Sequence, residues 1–135
     1  MRRLLSERIA TNGLLIILSC NLVFHGLVMV GVVPFEIVWG GRLKDHSQML
    51  SFETVSILIN LLMLGFVCIH AGLIKISFNR TALKIILWAM AGIFAINTVG
   101  NLFSKNDFEK MMFTPLTLLL SVFFIRLAIV KEVKN

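Results

Sequence analysis

Four blocks of apolar sequence, each bounded by charge, constrain this chain more than any other feature. They run at about 13–35, 51–74, 82–103 and 113–130. A helix of about 20 apolar residues rises roughly 30 Å, the thickness of a bilayer's hydrocarbon core. Only 15% of the 135 residues are charged, while 58% are hydrophobic and mean hydropathy is +0.92. A soluble domain carries about a quarter charged residues. The expected fold is therefore all-α: a four-helix transmembrane bundle, up-down-up-down, forming a single integral membrane domain over residues 1–135.

The net charge of +6 would suit a nucleic-acid partner if the basic residues formed a face on a soluble fold. They lie instead at the ends of the apolar blocks, where lysine and arginine set topology and meet lipid headgroups. Arg2, Arg3, Arg8, Lys75, Arg80, Lys84, Arg126, Lys131 and Lys134 fall on one side, and Arg42, Lys44, Lys105 and Lys110 on the other. Glu36, Asp45, Glu53, Asp107 and Glu109 share the sparser side. The positive-inside rule then places both termini in the cytoplasm and the loops near Arg42 and Asp107 outside, in a multi-pass protein of the inner (plasma) membrane. The first block is too long for a signal-peptide core, and Val32-Val33-Pro34-Phe35 offers no small-residue cleavage site. At the ends of the spans, Thr114-Pro115 reads as the start of the fourth helix, with Thr as N-cap. Arg126 is placed to snorkel to headgroups, and Trp39 and Trp88 to act as interfacial anchors, Trp88 lying deep enough to pack in the bundle instead. Ala91, Gly92 and Ala95 offer a small surface for close helix approach.

Lipid cannot accept or donate hydrogen bonds, so polar side chains in a span must face protein or a hydrated cavity. Each block carries such residues at helical spacing: Asn21 and His25; Glu53, Ser56 and Asn60; Asn97 and Asn101 with Thr98 beside them; Thr114, Thr117 and Ser121. At 1.5 Å per residue, Glu53, Asn101 and Thr114 fall near the outer surface, and His25, Asn60 and Ser121 roughly 12–15 Å in. Facing one another, the stripes line a funnel that opens outward and closes about halfway. The same residues equally suit interhelical hydrogen bonding, at about 0.6–2 kcal/mol per contact. Under the pocket reading the ligand-binding set is Glu53, Asn60, Asn97, Asn101, Arg42, His25, Thr117 and Ser121, with Glu53 as the charged or proton-bearing group.

The outer loop 34–43 adds a candidate lid: Trp39 followed by Gly40-Gly41, where positive φ and close backbone approach are allowed, and then Arg42 within reach of Glu36, Glu53 or Glu109. The pattern Glu36-x-x-Trp39-Gly40-Gly41-Arg42, Asn97-Thr98-x-Gly100-Asn101, and Glu109 with Thr114-Pro115-Leu116-Thr117 resembles small, uncharacterised bacterial four-span integral membrane proteins. That resemblance spans nearly the whole chain and implies a membrane bundle. It implies no activity, and no functional residue is carried over from it.

No catalytic motif, phosphate-binding glycine loop or metal-ligand cluster is present. Haem between His25 and His70 is disfavoured, because the two sit roughly 12 Å apart in depth. Cys20 and Cys68 read as packing residues. No cofactor and no nucleic acid is expected, and an enzyme is the weakest class, a lipid-directed one using Glu53 and His46 being its best form. The expected partners are the lipid bilayer and a small polar solute or ion, handled by a transporter, channel or binding protein. The alternative is a non-catalytic membrane subunit or assembly factor that meets a partner through its outer loops. A homo-oligomer suits either, since one small bundle has little room for a central pathway.

Overall fold

The computed structural model describes residues 5–37, 43–105 and 107–130. It contains four long helices, α1 (Glu7–Met29), α2 (His46–His70), α3 (Arg80–Leu102) and α4 (Asp107–Ala128). A 3-10 turn, Phe35–Ile37, follows α1. All four helices are long and apolar enough to cross a membrane. The chain is a multi-pass, all-α membrane protein with the expected four-helix bundle.

Local chemistry sets the helix ends. Ser6, Asp45 and Asn79 are N-caps, each accepting a hydrogen bond from the backbone N–H three residues on. Gln48 reaches back to the Lys44 N–H, so the start of α2 is satisfied in both directions. The C-termini of α1 and α2 close alike. Gly31 (φ 86°) and Gly72 (φ 77°) take the left-handed conformation. Their N–H groups and those of Val32 and Leu73 bond back to Val28, Ile69, Leu27 and Cys68 carbonyls, a Schellman motif at each end. The first span therefore stops at Met29, not near residue 35. The starts of α1, α2 and α4 precede the hydropathic blocks by about a turn and a half, because polar first turns are helical without being apolar.

Thr114-Pro115 does not start α4. The helix begins at Asp107, where Asp107 and Glu109 favour the positive end of its dipole, and Pro115 lies inside it. Proline removes one helical hydrogen bond there. Thr117 Oγ1–H sits against the Phe113 carbonyl at 2.7 Å, while the buried Thr114 hydroxyl has no partner.

Contacts between helices fix the topology. His25 meets Glu53 and Glu7 meets His70 across α1 and α2. Thr98 meets Thr117, and Ser121 meets Ala91, across α3 and α4. Arg126 donates to the Leu5 carbonyl at 2.8 Å, while Phe24 packs edge-on to Phe113 at the other end of α1 and α4. All three pairs are antiparallel. Arg126 thus has a protein partner and ties the end of α4 to the start of α1. In contrast, α2 and α3 scarcely touch.

The half of the bundle where α1 begins and α4 ends is apolar. Ala10, Leu14 and Leu18 repeat every turn along α1 and meet Met63 and Val67 of α2, Leu83, Leu87 and Phe94 of α3, and Leu120, Phe124 and Leu127 of α4. Phe94 and Phe124 stack with ring centroids 5.7 Å apart. Trp88 is 45% exposed and so turns away from the bundle. The close helix approach occurs at Gly13, where an added Cβ would fall on the Phe123 ring. Of the small residues in α3, only Ala91 is buried; Gly92 faces open space.

Gly13→Leu should therefore push α1 from α4 and lower stability by about 1–3 kcal/mol, the usual cost of overpacking. Gly92→Leu should be near neutral. Thermal unfolding midpoints of the two variants in the same detergent check the contrast.

Candidate ligand-binding cavity

The other half of the bundle is organised by polar groups. Glu53 projects from α2 and is completely buried. Its Oε2 lies 2.5 Å from His25 Nδ1 of α1, so one proton lies between them. The two side chains must sit at one level. This corrects the depth expected from sequence, which placed Glu53 at the surface and His25 near the midplane. Starting α2 at His46 carries Glu53 two turns inside the helix, and ending α1 at Met29 brings His25 within about a turn of its end. The second pair, His70 Nε2 to Glu7 Oε1 at 3.0 Å, exchanges the roles of the two helices. The pairs are 18 residues apart on α1 and 17 on α2, about 26 Å of helix. Together they lock the register of α1 against α2 at both ends.

On the opposite wall, the Thr98 hydroxyl sits between the Phe94 carbonyl (2.8 Å) and Thr117 Oγ1 (2.9 Å) and donates to one at a time. Asn101 Nδ2–H donates to Thr117 Oγ1 at 3.4 Å. The Ser121 hydroxyl donates to the Ala91 carbonyl at 2.8 Å. Where α3 turns into α4, the Ser104 hydroxyl donates to Glu109 Oε2 at 2.8 Å, both residues being buried.

Between these walls lies a cavity of about 460 Å³ lined by all four helices. Asn21 and His25 reach it from α1, Ser56 and Asn60 from α2, Asn97 and Asn101 from α3, and Glu109 and Thr117 from α4. Phe24, Phe113 and Ile93 supply apolar wall, and Met63 and Phe94 belong also to the apolar core beneath. The cavity is thus polar at one end and rests on packed hydrocarbon at the other.

One feature separates this cavity from a simple packing network. Asn60 is 8% exposed; its Nδ2–H donates to the Ser56 carbonyl at 2.8 Å, while its buried Oδ1 has no partner. An unmet amide oxygen in an apolar medium costs on the order of 1–3 kcal/mol. Asn97 is exposed on the flank of α3, and its side chain makes no hydrogen bond among the described residues. These two amides carry hydrogen-bonding capacity that the described fold does not use.

His25, Asn60, Asn97, Asn101 and Thr117 of the expected binding set line this one cavity, together with Glu109, expected at the loop and gate. Glu53 does not line it; it stands behind His25 and orients the imidazole. Ser121 is not part of the lining and acts as an interhelical hydrogen bond. Glu36 is exposed on the 3-10 turn. Trp39, Gly40, Gly41 and Arg42, the proposed lid and gate, lie outside the described residues. Ser56 and Asn21 join the site although nothing in their spacing sets them apart from their stripe neighbours. The buried member of the α3 stripe is Thr98, one residue or about 100° around the helix from Asn97. Cys20 and Cys68 are free thiols. Among the described residues, no group of three His, Cys, Asp or Glu could hold a metal ion.

Compared with protein-family models, curated proteins and solved structures, the chain matches none.

Removing one member of a buried pair strips a charge-assisted hydrogen bond from the other, at up to about 3–5 kcal/mol. His25→Ala should show a loss of that order, and Glu53→Gln in the same background should cost much less than Glu53→Gln alone. A double-mutant cycle on unfolding free energies should give a coupling of roughly 1–3 kcal/mol; additive losses would mean the pair does not form.

Proposed function

We propose that this chain is a non-catalytic binding or transport protein of a bacterial inner membrane, with both termini cytoplasmic and the cavity opening to the outer half of the bilayer. Its ligand is a small molecule with hydrogen-bonding groups. The distribution of lysine and arginine supports the orientation. The observation that carries the functional reading is the orphaned Asn60 carbonyl inside a cavity to which every helix contributes a polar side chain. A pocket of about 460 Å³ falls within the usual range for small-molecule sites, and mixed apolar walls with a few convergent polar groups are their usual make-up. Asn60, Asn97 and Asn101 supply paired donors and acceptors. The imidazole of His25, held through Nδ1 by Glu53, presents its second nitrogen to other partners. Glu109, held by Ser104, adds a carboxylate.

A second reading treats the chain as a membrane subunit whose partner lies between α2 and α3. The scant contact between those helices and the outward-turned Asn97 favour it. In that case a partner helix, or a helix of a second copy, supplies the missing hydrogen bonds.

Native mass spectrometry of protein gently extracted from its own membranes separates the two. The binding reading predicts a reproducible small added mass that Asn60→Leu and Glu53→Gln variants lose while keeping the wild-type helical content. A stoichiometric protein partner in place of a small mass, unaffected by Asn60→Leu, would replace it with the subunit reading.

A further inference from the structure

The cavity has three closely packed sides and one loosely packed one. Helix α3 packs along α4, α4 against α1, and α1 along α2, but the circuit is weakest between α2 and α3, which scarcely touch. That side is apolar at its edges. It is flanked by Ile59 of α2, 42% exposed, and by Ile93 and Ile96 of α3, 44% and 72% exposed. In a spanning helix, such side chains face hydrocarbon. Asn97 lies beside Ile96 on the same exposed flank and also lines the cavity. A polar amide in that position carries an energetic cost in lipid unless it meets a partner.

We infer that the cavity is loaded sideways from the bilayer, through the gap between α2 and α3, by a lipid-borne amphipath with a neutral headgroup bearing at least one hydroxyl donor. This rests on the binding reading above and names its ligand class. The size of the site argues for headgroup capture: about 460 Å³ holds a compact polar group and the first carbons of a tail, and the rest of the tail stays between the exposed isoleucines. The chemistry argues for a neutral group. The amides of Asn60, Asn97 and Asn101 offer both N–H donors and carbonyl acceptors, which match a hydroxyl group that donates and accepts. The described lining residues include no lysine or arginine to pair with a phosphate. As the headgroup moves in, the Asn60 Oδ1 and the Asn97 amide gain partners that neither lipid nor protein supplies. The direction of entry follows from the same balance: a polar headgroup leaves hydrocarbon for hydrogen bonds, and the tail never leaves hydrocarbon.

The test uses the full chain in lipid nanodiscs with oleyl alcohol carrying a diazirine near its hydroxyl end, photolysed and mapped by peptide mass spectrometry. An anionic phospholipid bearing the same diazirine runs in parallel. The inference predicts saturable alcohol adducts on cavity residues such as Asn97, Ile59 and Phe113, above the labelling of the lipid-facing Leu61 and Leu62. Asn60→Leu/Asn97→Leu should lower cavity labelling roughly tenfold, the loss expected for about 1.4 kcal/mol of affinity, and leave the Leu61 and Leu62 signal unchanged. Ile96→Trp, which narrows the gap without removing a polar group, should slow labelling of the cavity but not of the lipid face. Equal labelling around the bundle, or preference for the anionic probe, would overturn the inference. So would crosslinks between two copies at the same residues, which would put a second protein chain in the gap. If the cavity is unlabelled while protein from native membranes still carries an added mass sensitive to Asn60→Leu, lateral entry fails and the binding reading stands. If neither signal is found, both fail.

Discussion

The interior of a bilayer offers no hydrogen bonds, and the arrangement of this protein follows from where its polar groups find them. Most find them within the chain. Glu53 and His25 answer each other, as do Glu7 and His70, Ser104 and Glu109, and Thr98 and Thr117, while Ser121 and Arg126 use backbone carbonyls. Each of these contacts crosses between elements, so satisfaction of polar groups and assembly of the bundle are one process. Without a hydrophobic force between helices in lipid, such contacts and close packing supply the association energy. The remainder, chiefly Asn60 Oδ1 and the Asn97 amide, are left unanswered on one cavity.

The division of labour runs along the bundle axis. The half that holds the start of α1 is a scaffold: leucines at one-turn spacing, the stacked Phe94–Phe124 pair, and the Gly13 notch that lets Phe123 approach α1. The other half is joined by polar pairs, and the contact between α2 and α3 is slight. Rigid packing below and an incompletely closed polar space above is an arrangement suited to binding, since the site is held by elements that need not rearrange.

Much of this was legible in the sequence. Hydropathy gave the number of helices and their order, and the i, i+3, i+4 and i+7 recurrence of polar residues identified the faces that meet. What failed was depth and azimuth. Depth erred at Glu53 and His25 because apolar blocks do not mark helix ends; Asp45 capping and the Gly31 turn do, and both are readable as an Asp-x-x-Gln pattern and a glycine after an apolar run. Thr114-Pro115 misled for a related reason: the acidic stretch from Asp107 is helical, and a proline can sit inside a membrane helix when neighbouring hydroxyls and helices compensate. Azimuth was off by part of a turn in α3: Asn97 lines the cavity, as expected, but from the exposed flank, and Thr98 is the buried residue. Adjacent positions differ by about 100°, and only the packing of α3 on α4 decides which of them faces the partner. The reciprocal Glu7–His70 pair went unread, because its members are distant in sequence and Glu7 lies outside the apolar block.

The central claim is that the amides on the cavity serve a ligand and not the fold. Thermal unfolding of ligand-free protein in detergent tests it directly, comparing Asn60→Leu and Asn97→Leu with Ser121→Ala. The account predicts that the asparagine replacements leave the midpoint unchanged or raise it, because they remove unmet polar groups, while Ser121→Ala lowers it by removing a satisfied contact. If Asn60→Leu and Asn97→Leu lower the midpoint as much as Ser121→Ala does, those amides are holding helices together, and the account is wrong.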